Sequence, residues 1–194
     1  MATHKTVFDE DFEIISSDKQ FDYQKDLTAK LDDAAKPFDQ AIINEIVLWK
    51  VNRYAQVDDD TLKSLNEIDT KSNELNVEVT RNILKKLVQK KGIKLPMASA
   101  ILRFRNNNIY QIIDQRVYRI IYKNKKLKLK THPNEKNLND QVDLYIEYLR
   151  DLKDLCKKLE IPFAKADRIL FVADKRINKN IPIDNYSAKR KEKA

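Results

Sequence analysis

The chain has 194 residues, 42% of them apolar and 35% charged, with a formal net charge of +8. That length fits one domain with terminal extensions, and the apolar share is enough for a core. A single glycine, Gly92, argues against glycine-rich phosphate loops, Rossmann-type folds and hairpin-rich sheets, and a single cysteine, Cys156, excludes intramolecular disulfides and multi-cysteine zinc sites.

Residues 1–20 are polar, with apolar islands at Phe8, Phe12 and Ile14–Ile15, and read as an extension lying on the surface. Phe21–Asp33 has the spacing of a short amphipathic helix. Lys36-Pro37 marks a boundary, because the residue before proline resists the helical conformation. Phe38–Tyr54 carries the clearest helical stripe. Ile42, Ile46, Trp49 and Arg53 recur at helical spacing, and Ile43, Val47 and Leu48 broaden it. Trp49 is the expected core anchor. Asp58–Asp60 can cap a further helix whose apolar positions are Leu62, Leu65 and Ile68. Val77–Gln89 predicts another, with Val79, Ile83, Leu84 and Leu87 facing inward. Lys90-Lys91-Gly92 is a stop signal, a basic last turn followed by glycine.

Pro96 suits the first turn of the next helix, continued by Met97–Phe104. Ala98, Ser99 and Ala100 are small and permit close approach of a neighbour. Asn106-Asn107-Asn108 is a turn, Ile109–Ile113 a short apolar run, and Asp114 a natural N-cap for a helix lined by Val117, Ile120 and Ile121. Lys123–His132 is a basic loop or short β-ribbon, since Leu127 and Leu129 alternate with Lys126, Lys128 and Lys130. Asp140–Leu159 is a long amphipathic helix with Tyr145, Tyr148, Leu149, Leu152 and Leu155 on its apolar side. Lys165–Asp174 closes the domain, and the tail after Ile177 is polar and basic. There are no internal repeats.

Charge is divided along the chain. Residues 1–80 hold 9 Lys/Arg against 18 Asp/Glu, and residues 81–194 hold 29 against 12. A basic half suits a polyanion such as DNA, and the acidic half suits a protein partner or masks the basic part. A solvated surface kept soluble is the plain alternative. No apolar stretch approaches membrane-spanning length and no signal-peptide pattern opens the chain, which leaves the cytosol or the nucleus, with the cytoplasm as the default expectation. His4 and His132 have no metal-ligand spacing, Cys156 suits a buried helix position, and no cofactor is expected. Oligomeric state is open.

The turn Gly92–Leu95 and the helix from Pro96 offer backbone N–H groups and a positive helix end, with Lys90, Lys91 and Lys94 around them, which together suit a DNA phosphate. Such a grip positions a duplex without reading its sequence. Arg103 and Arg105 flank the asparagine turn, and Arg116 and Arg119 lie on the helix that Asp114 opens. Phosphate contact and local salt bridges to Asp114 are both open to them. Asp114 is complete as a cap, its carboxylate held ionised by backbone amides. A carboxylate that also faced a cleft could stabilise positive charge on a deoxyribose as its base departs, or orient a water.

The stretch Gly92-Ile93-Lys94-Leu95-Pro96-Met97-Ala98-Ser99-Ala100-Ile101-Leu102, with Ile113-Asp114-Gln115-Arg116-Val117 beyond it, resembles the helix-hairpin-helix superfamily of DNA base-excision glycosylases, as a divergent bacterial member. Pro37-Phe38 with Ile42–Trp49 resembles the first barrel helix of that fold. Asp167-Arg168-Ile169-Leu170-Phe171 resembles its closing helix, which often carries an aspartate and a large aromatic. The resemblance covers about residues 37–177, with residues 1–36 as an N-terminal extension and 178–194 as a basic tail. It implies a mainly α, glycosylase-like helical domain with a possible short basic ribbon. It also implies DNA as partner, with Asp114 as the catalytic carboxylate and Lys90, Lys91, Gly92, Lys94, Arg103, Arg105, Arg116 and Arg119 toward the nucleic acid.

The departures shape the expected activity. Lys94 stands where the family's second hairpin glycine falls. Pro96 lies 18 residues before Asp114, where bifunctional members carry a Schiff-base lysine. Whether Lys91 or Lys94 substitutes is open. No cysteine quartet follows, which excludes the iron–sulfur cluster of some members. The resemblance therefore implies a monofunctional glycosylase that hydrolyses the N-glycosidic bond of a damaged or mismatched base flipped into a pocket. Trp49, Phe104, Tyr110 and Tyr118 are candidate stacking partners, though each suits core or pocket wall better. The alternative is a non-catalytic nucleic-acid-binding or protein-interaction module on the same scaffold.

Overall fold

Short polar side chains set most helix starts in this protein. In the computed structural model, which describes residues 24–32, 38–51, 55–123, 125–129 and 134–183, five helices begin at an Asx cap. Asp39, Asp58, Asn76, Asp114 and Asn134 each accept a hydrogen bond from the backbone amide three residues on, at 2.8–3.1 Å. Each such cap stabilises its helix by about 1 kcal/mol. The helices are α1 (Lys25–Asp32), α2 (Gln40–Lys50), α3 (Asp59–Asn66), α4 (Val77–Gln89), α5 (Leu95–Arg105), α6 (Gln115–Ile121), α7 (Glu135–Leu159) and α8 (Ala166–Ile177), with a 3₁₀ turn at Phe163–Lys165. The described residues contain no strand, so the domain is all-α.

The chain divides into two units, Met1–Tyr54 and Ala55–Ala194. Helix α2 therefore groups with α1, rather than with the 37–177 domain expected from the sequence. In the first unit Trp49 Nε1 donates to Thr28 Oγ1 at 2.9 Å, Gln24 Nε2 donates to the Trp49 carbonyl at 3.0 Å, and Lys30 pairs with Glu45 at 2.6 Å. Trp49 is only half-buried and corrects the expectation of a core anchor. It tethers two short helices to each other, and the large apolar cluster forms elsewhere in the chain.

That cluster lies in the second unit. Ile83, Leu84 and Leu87 of α4, Leu95, Ala98 and Leu102 of α5, and Val142, Tyr145, Tyr148 and Leu152 of α7 are all essentially inaccessible to solvent. Each large apolar side chain so buried contributes about 1.5–3 kcal/mol. Helix α4 packs on α3, α5 and α7, and α6 packs on α8. Leu62 and Val79, expected to face inward, are 43% and 41% exposed, because the neighbouring Leu65 and Ile83 take the core side of their helices. Val77–Gln89 keeps its expected bounds. The long helix starts earlier than expected, at Glu135, because Asn134 caps it. The last helix runs beyond Asp174 to Ile177.

Residues 125–129 have no regular secondary structure, with Leu127 buried and Leu129 half-buried. The rest of the expected ribbon, Asn124 and Lys130–His132, lies outside the described residues. So do the islands at Phe8, Phe12 and Ile14–Ile15, the Lys36-Pro37 boundary, and the tail beyond 183.

Two backbone positions take opposite glycine logic. Gly92, at φ 82°, makes the turn between α4 and α5, closed by the Ile93 amide on the Lys90 carbonyl at 3.1 Å. Glu160, at φ 54°, ends α7 in the left-handed region with a side chain that region disfavours. Glu160→Gly is expected to raise stability by about 0.5–1 kcal/mol and Gly92→Ala to lower it by about 1 kcal/mol or more. Urea denaturation midpoints of both variants measure the two signs.

Candidate functional site

The extended segment between α5 and α6 delivers Asp114, and it has no neighbouring strand to bond with. Asn106 starts it. Its Nδ2 donates to the carbonyls of Asp69 and Ser72 at 2.7 and 3.0 Å, and its Oδ1 accepts from the Asn108 amide at 2.9 Å. Further on, the Tyr145 hydroxyl donates to the Gln111 carbonyl at 2.9 Å and the Tyr148 hydroxyl to the Ile112 carbonyl at 2.7 Å. The Ile113 amide donates to Ser99 Oγ at 3.1 Å, and the Ile112 amide to Asp167 Oδ2 at 3.4 Å. The buried backbone is thus satisfied by side chains of α5, α7 and α8. Ser99 therefore does more than its small size suggests.

Asp114 caps α6 through Oδ1, which accepts from the Val117 amide at 2.8 Å. It also lines a pocket of about 380 Å³ with Ile112, Val117, Asp167, Arg168, Phe171 and Val172. Burial raises the Asp114 carboxyl above its ordinary value, against the opposing pull of the Val117 and Arg116 amides and the Arg116 charge. The carboxylate is therefore both cap and pocket wall. Asp167, 3% exposed, is the second carboxylate there; its Oδ1 accepts from the Arg168 amide at 2.7 Å.

The arginines near the turn are held inside the protein. Arg103 is buried, with Nε 3.4 Å from Asp167 Oδ2 and a terminal N–H on the Ala164 carbonyl at 3.3 Å. Arg105 donates to the carbonyls of Asn66 and Ile68 at 2.5 and 3.0 Å. Arg119 grips Asp174 with two bonds, at 2.7 and 2.8 Å, and Arg116 joins at 3.1 Å. Asn178 Nδ2 adds a fourth donor at 2.7 Å. Burial alone pushes the Asp174 carboxyl up, but the bonds from Arg119, Asn178 and Arg116 prevail and hold it below its ordinary value. Arg119 also reaches the carbonyls of Ile181 and Pro182, fixing the chain beyond α8.

Of the lysines at the hairpin, Lys90 pairs with Asp58, the cap of α3, and this bond with those from Thr61 lowers the Asp58 carboxyl. Lys91, Gly92 and Lys94 are exposed on the turn. Pro96 sits in the first turn of α5, and Lys94 precedes that helix without a side-chain cap bond. The candidate stacking residues separate. Tyr110 is buried and shares a 3.0 Å hydrogen bond with Thr80, and Tyr118 is buried beside Tyr122. Phe104 is 72% exposed, with the Arg103 and Arg168 guanidinium groups 5.2 and 6.0 Å from its ring centre.

Asp174 was not distinguishable in the sequence from any other aspartate on a polar helix face. Its only signal is position, seven residues after Asp167 on the same helix. Among the described residues no three His, Cys, Asp or Glu side chains form a group able to hold a metal ion. No helix among the described residues is long and apolar enough to cross a membrane. Comparison with protein families, with curated proteins and with solved structures finds no match.

Asp174→Asn is expected to cost about 3 kcal/mol, the low end for a broken buried pair because both guanidinium groups keep some exposure. A carboxylate with a lowered folded-state pKa gives its stability above the ordinary value of 3.8 and loses it as pH falls through the folded value. Urea midpoints between pH 2 and about 6 should therefore fall toward acid in the parent protein, with this component absent in the variant.

Proposed function

We propose that the protein is a DNA-binding enzyme with a helix-hairpin-helix glycosylase-like fold, and that it hydrolyses the N-glycosidic bond of a damaged or mismatched base. The observation that carries this reading is the place of the Asp114 carboxylate. Asp114 lines a pocket of about 380 Å³ whose apolar walls are Ile112, Val117, Phe171 and Val172 and whose other charged groups are Asp167 and Arg168, while Arg116 and Arg119 bind Asp174 instead of pairing with Asp114. A pocket of that size lies in the usual range for small organic ligands. An extrahelical base would enter it, with the deoxyribose left near the carboxylate.

In this mechanism the C1′–N bond breaks and its electron pair leaves with the base. Positive charge develops on the sugar, and the Asp114 carboxylate stabilises it. A water held by the same carboxylate forms the new C1′–O bond and gives up a proton, first to Asp114 and then to the departing base or to solvent. The raised pKa of Asp114 suits a group that takes and returns a proton. No lysine is required, in keeping with Pro96 at the position of the lyase nucleophile.

The turn Lys91–Lys94 and the start of α5 supply the phosphate contact. Gly92 lets the backbone approach, and Lys91 and Lys94 stand exposed beside amides at the helix end. Arg103, Arg105, Arg116 and Arg119 shape the scaffold through their internal bonds. Two exposed lysines make a modest electrostatic footprint, so affinity should fall with salt by a shallow slope of about two released counterions.

Base release from duplexes carrying uracil, oxidised, alkylated or mismatched bases tests the proposal. Asp114→Asn keeps an N-cap of equal quality, so the fold and DNA binding should persist while release falls by about 10²–10⁴-fold. Release by the parent protein should rise with pH through a midpoint above 3.8, because the carboxylate acts ionised and burial raises its pKa. Release unaffected by Asp114→Asn would remove this residue from the mechanism. Salt-sensitive binding without release from any duplex would instead support a non-catalytic DNA-binding module, and absence of both a protein-interaction role.

A further inference from the structure

A second pocket, of about 220 Å³, lies between the loop before α4, the turn after α5, the middle of α7 and the 3₁₀ turn. Leu75, Val77, Ile109, Leu149 and Phe163 form its apolar walls. Ile109 and Leu149 are buried, but Leu75, Val77 and Phe163 remain partly open to solvent. Its polar lining is Asn73, Asn108, Arg150 and Lys153, with no carboxylate.

These polar groups are weakly engaged. Lys153 Nζ has one hydrogen bond, to the Asn73 carbonyl at 3.5 Å, the outer limit of such a contact. Arg150 is exposed, and its guanidinium has no hydrogen bond or ion pair to another described residue. Arg150 and Lys153 are three apart on α7, so both cations stand on the same helix face. The frame around them is fixed. Asn106 pins the loop carbonyls of Asp69 and Ser72, and Asn108 is held through its amide.

We propose that this pocket binds a small aromatic carboxylate. An apolar cavity with cations along one wall selects a ligand with an apolar body and one anionic end. A guanidinium accepts a carboxylate in a two-bond geometry, and the lysine adds a point charge. The Phe163 ring and the branched walls favour a flat apolar body. The volume lies below the roughly 300–1,000 Å³ of drug-sized ligand sites, which restricts the ligand to one or two rings. The charged lining differs from that of the Asp114 pocket, where two carboxylates stand with one guanidinium, Arg168. The site is independent of any role for Asp114.

Isothermal titration of the full chain with 2-naphthoate, and with the neutral 2-naphthalenemethanol, tests the proposal. Naphthoate should bind one per chain, with a dissociation constant roughly in the sub-millimolar range, and the alcohol roughly tenfold more weakly. Arg150→Gln/Lys153→Gln should weaken naphthoate roughly tenfold and leave the alcohol unchanged. Both residues are exposed, so the variant's urea midpoint should match the parent. Asn108→Trp, which narrows the mouth, should weaken both ligands. Equal affinity for acid and alcohol, unchanged affinity in the double variant, or no saturable binding of naphthoate would each overturn the proposal.

Discussion

The structure around Asp114 depends on how one irregular buried segment satisfies its backbone. Residues 109–113 cross the core without a helix or strand to bond with, and a buried amide or carbonyl left unpaired costs free energy comparable to a lost hydrogen bond. The protein meets this with Ser99, Tyr145, Tyr148 and Asp167, drawn from three helices. The segment consequently has one register. Asp114 inherits that register, so its carboxylate is placed by the packing of α5, α7 and α8 as well as by its own helix.

The same helices explain why a basic chain does not present all its basic groups outward. Asp167 and Asp174, one turn pair apart on α8, draw in Arg103, Arg116 and Arg119. Buried carboxylates require such partners, because an uncompensated charge in the interior is strongly unfavourable. Arg105 is likewise spent on two main-chain carbonyls. The basic groups that remain on the surface include Lys91 and Lys94 at the hairpin and arginines such as Arg150 and Arg168.

Cap and cleft are compatible roles for one aspartate. Oδ1 of Asp114 takes the Val117 amide, and the residue still lines the pocket with Phe171 and Val172. The cap limits the side chain to one orientation, and burial raises the carboxyl's pKa. A rigid, partly desolvated carboxylate beside an apolar wall is suited to proton transfer and to stabilising a developing cation. Neither role needs the other to be given up.

Helix positions were legible in the sequence because caps and stops are local. Asp58, Asn76 and Asp114 act on amides three residues away, Gly92 on its own φ, and the apolar period of Val77–Gln89 on a single helix face. The all-α class follows from the same local signals. What the sequence could not decide is every interaction between distant residues. It left Arg116 and Arg119 open between phosphate and carboxylate, and only the packing of α6 on α8 brought them to Asp174, 58 and 55 residues away. It offered Trp49 as a core anchor, whereas tertiary packing put the core in the second unit. Local propensity has a range of a few residues. Burial, charge pairing and pocket walls are set by which helices meet, and only the folded chain determines that.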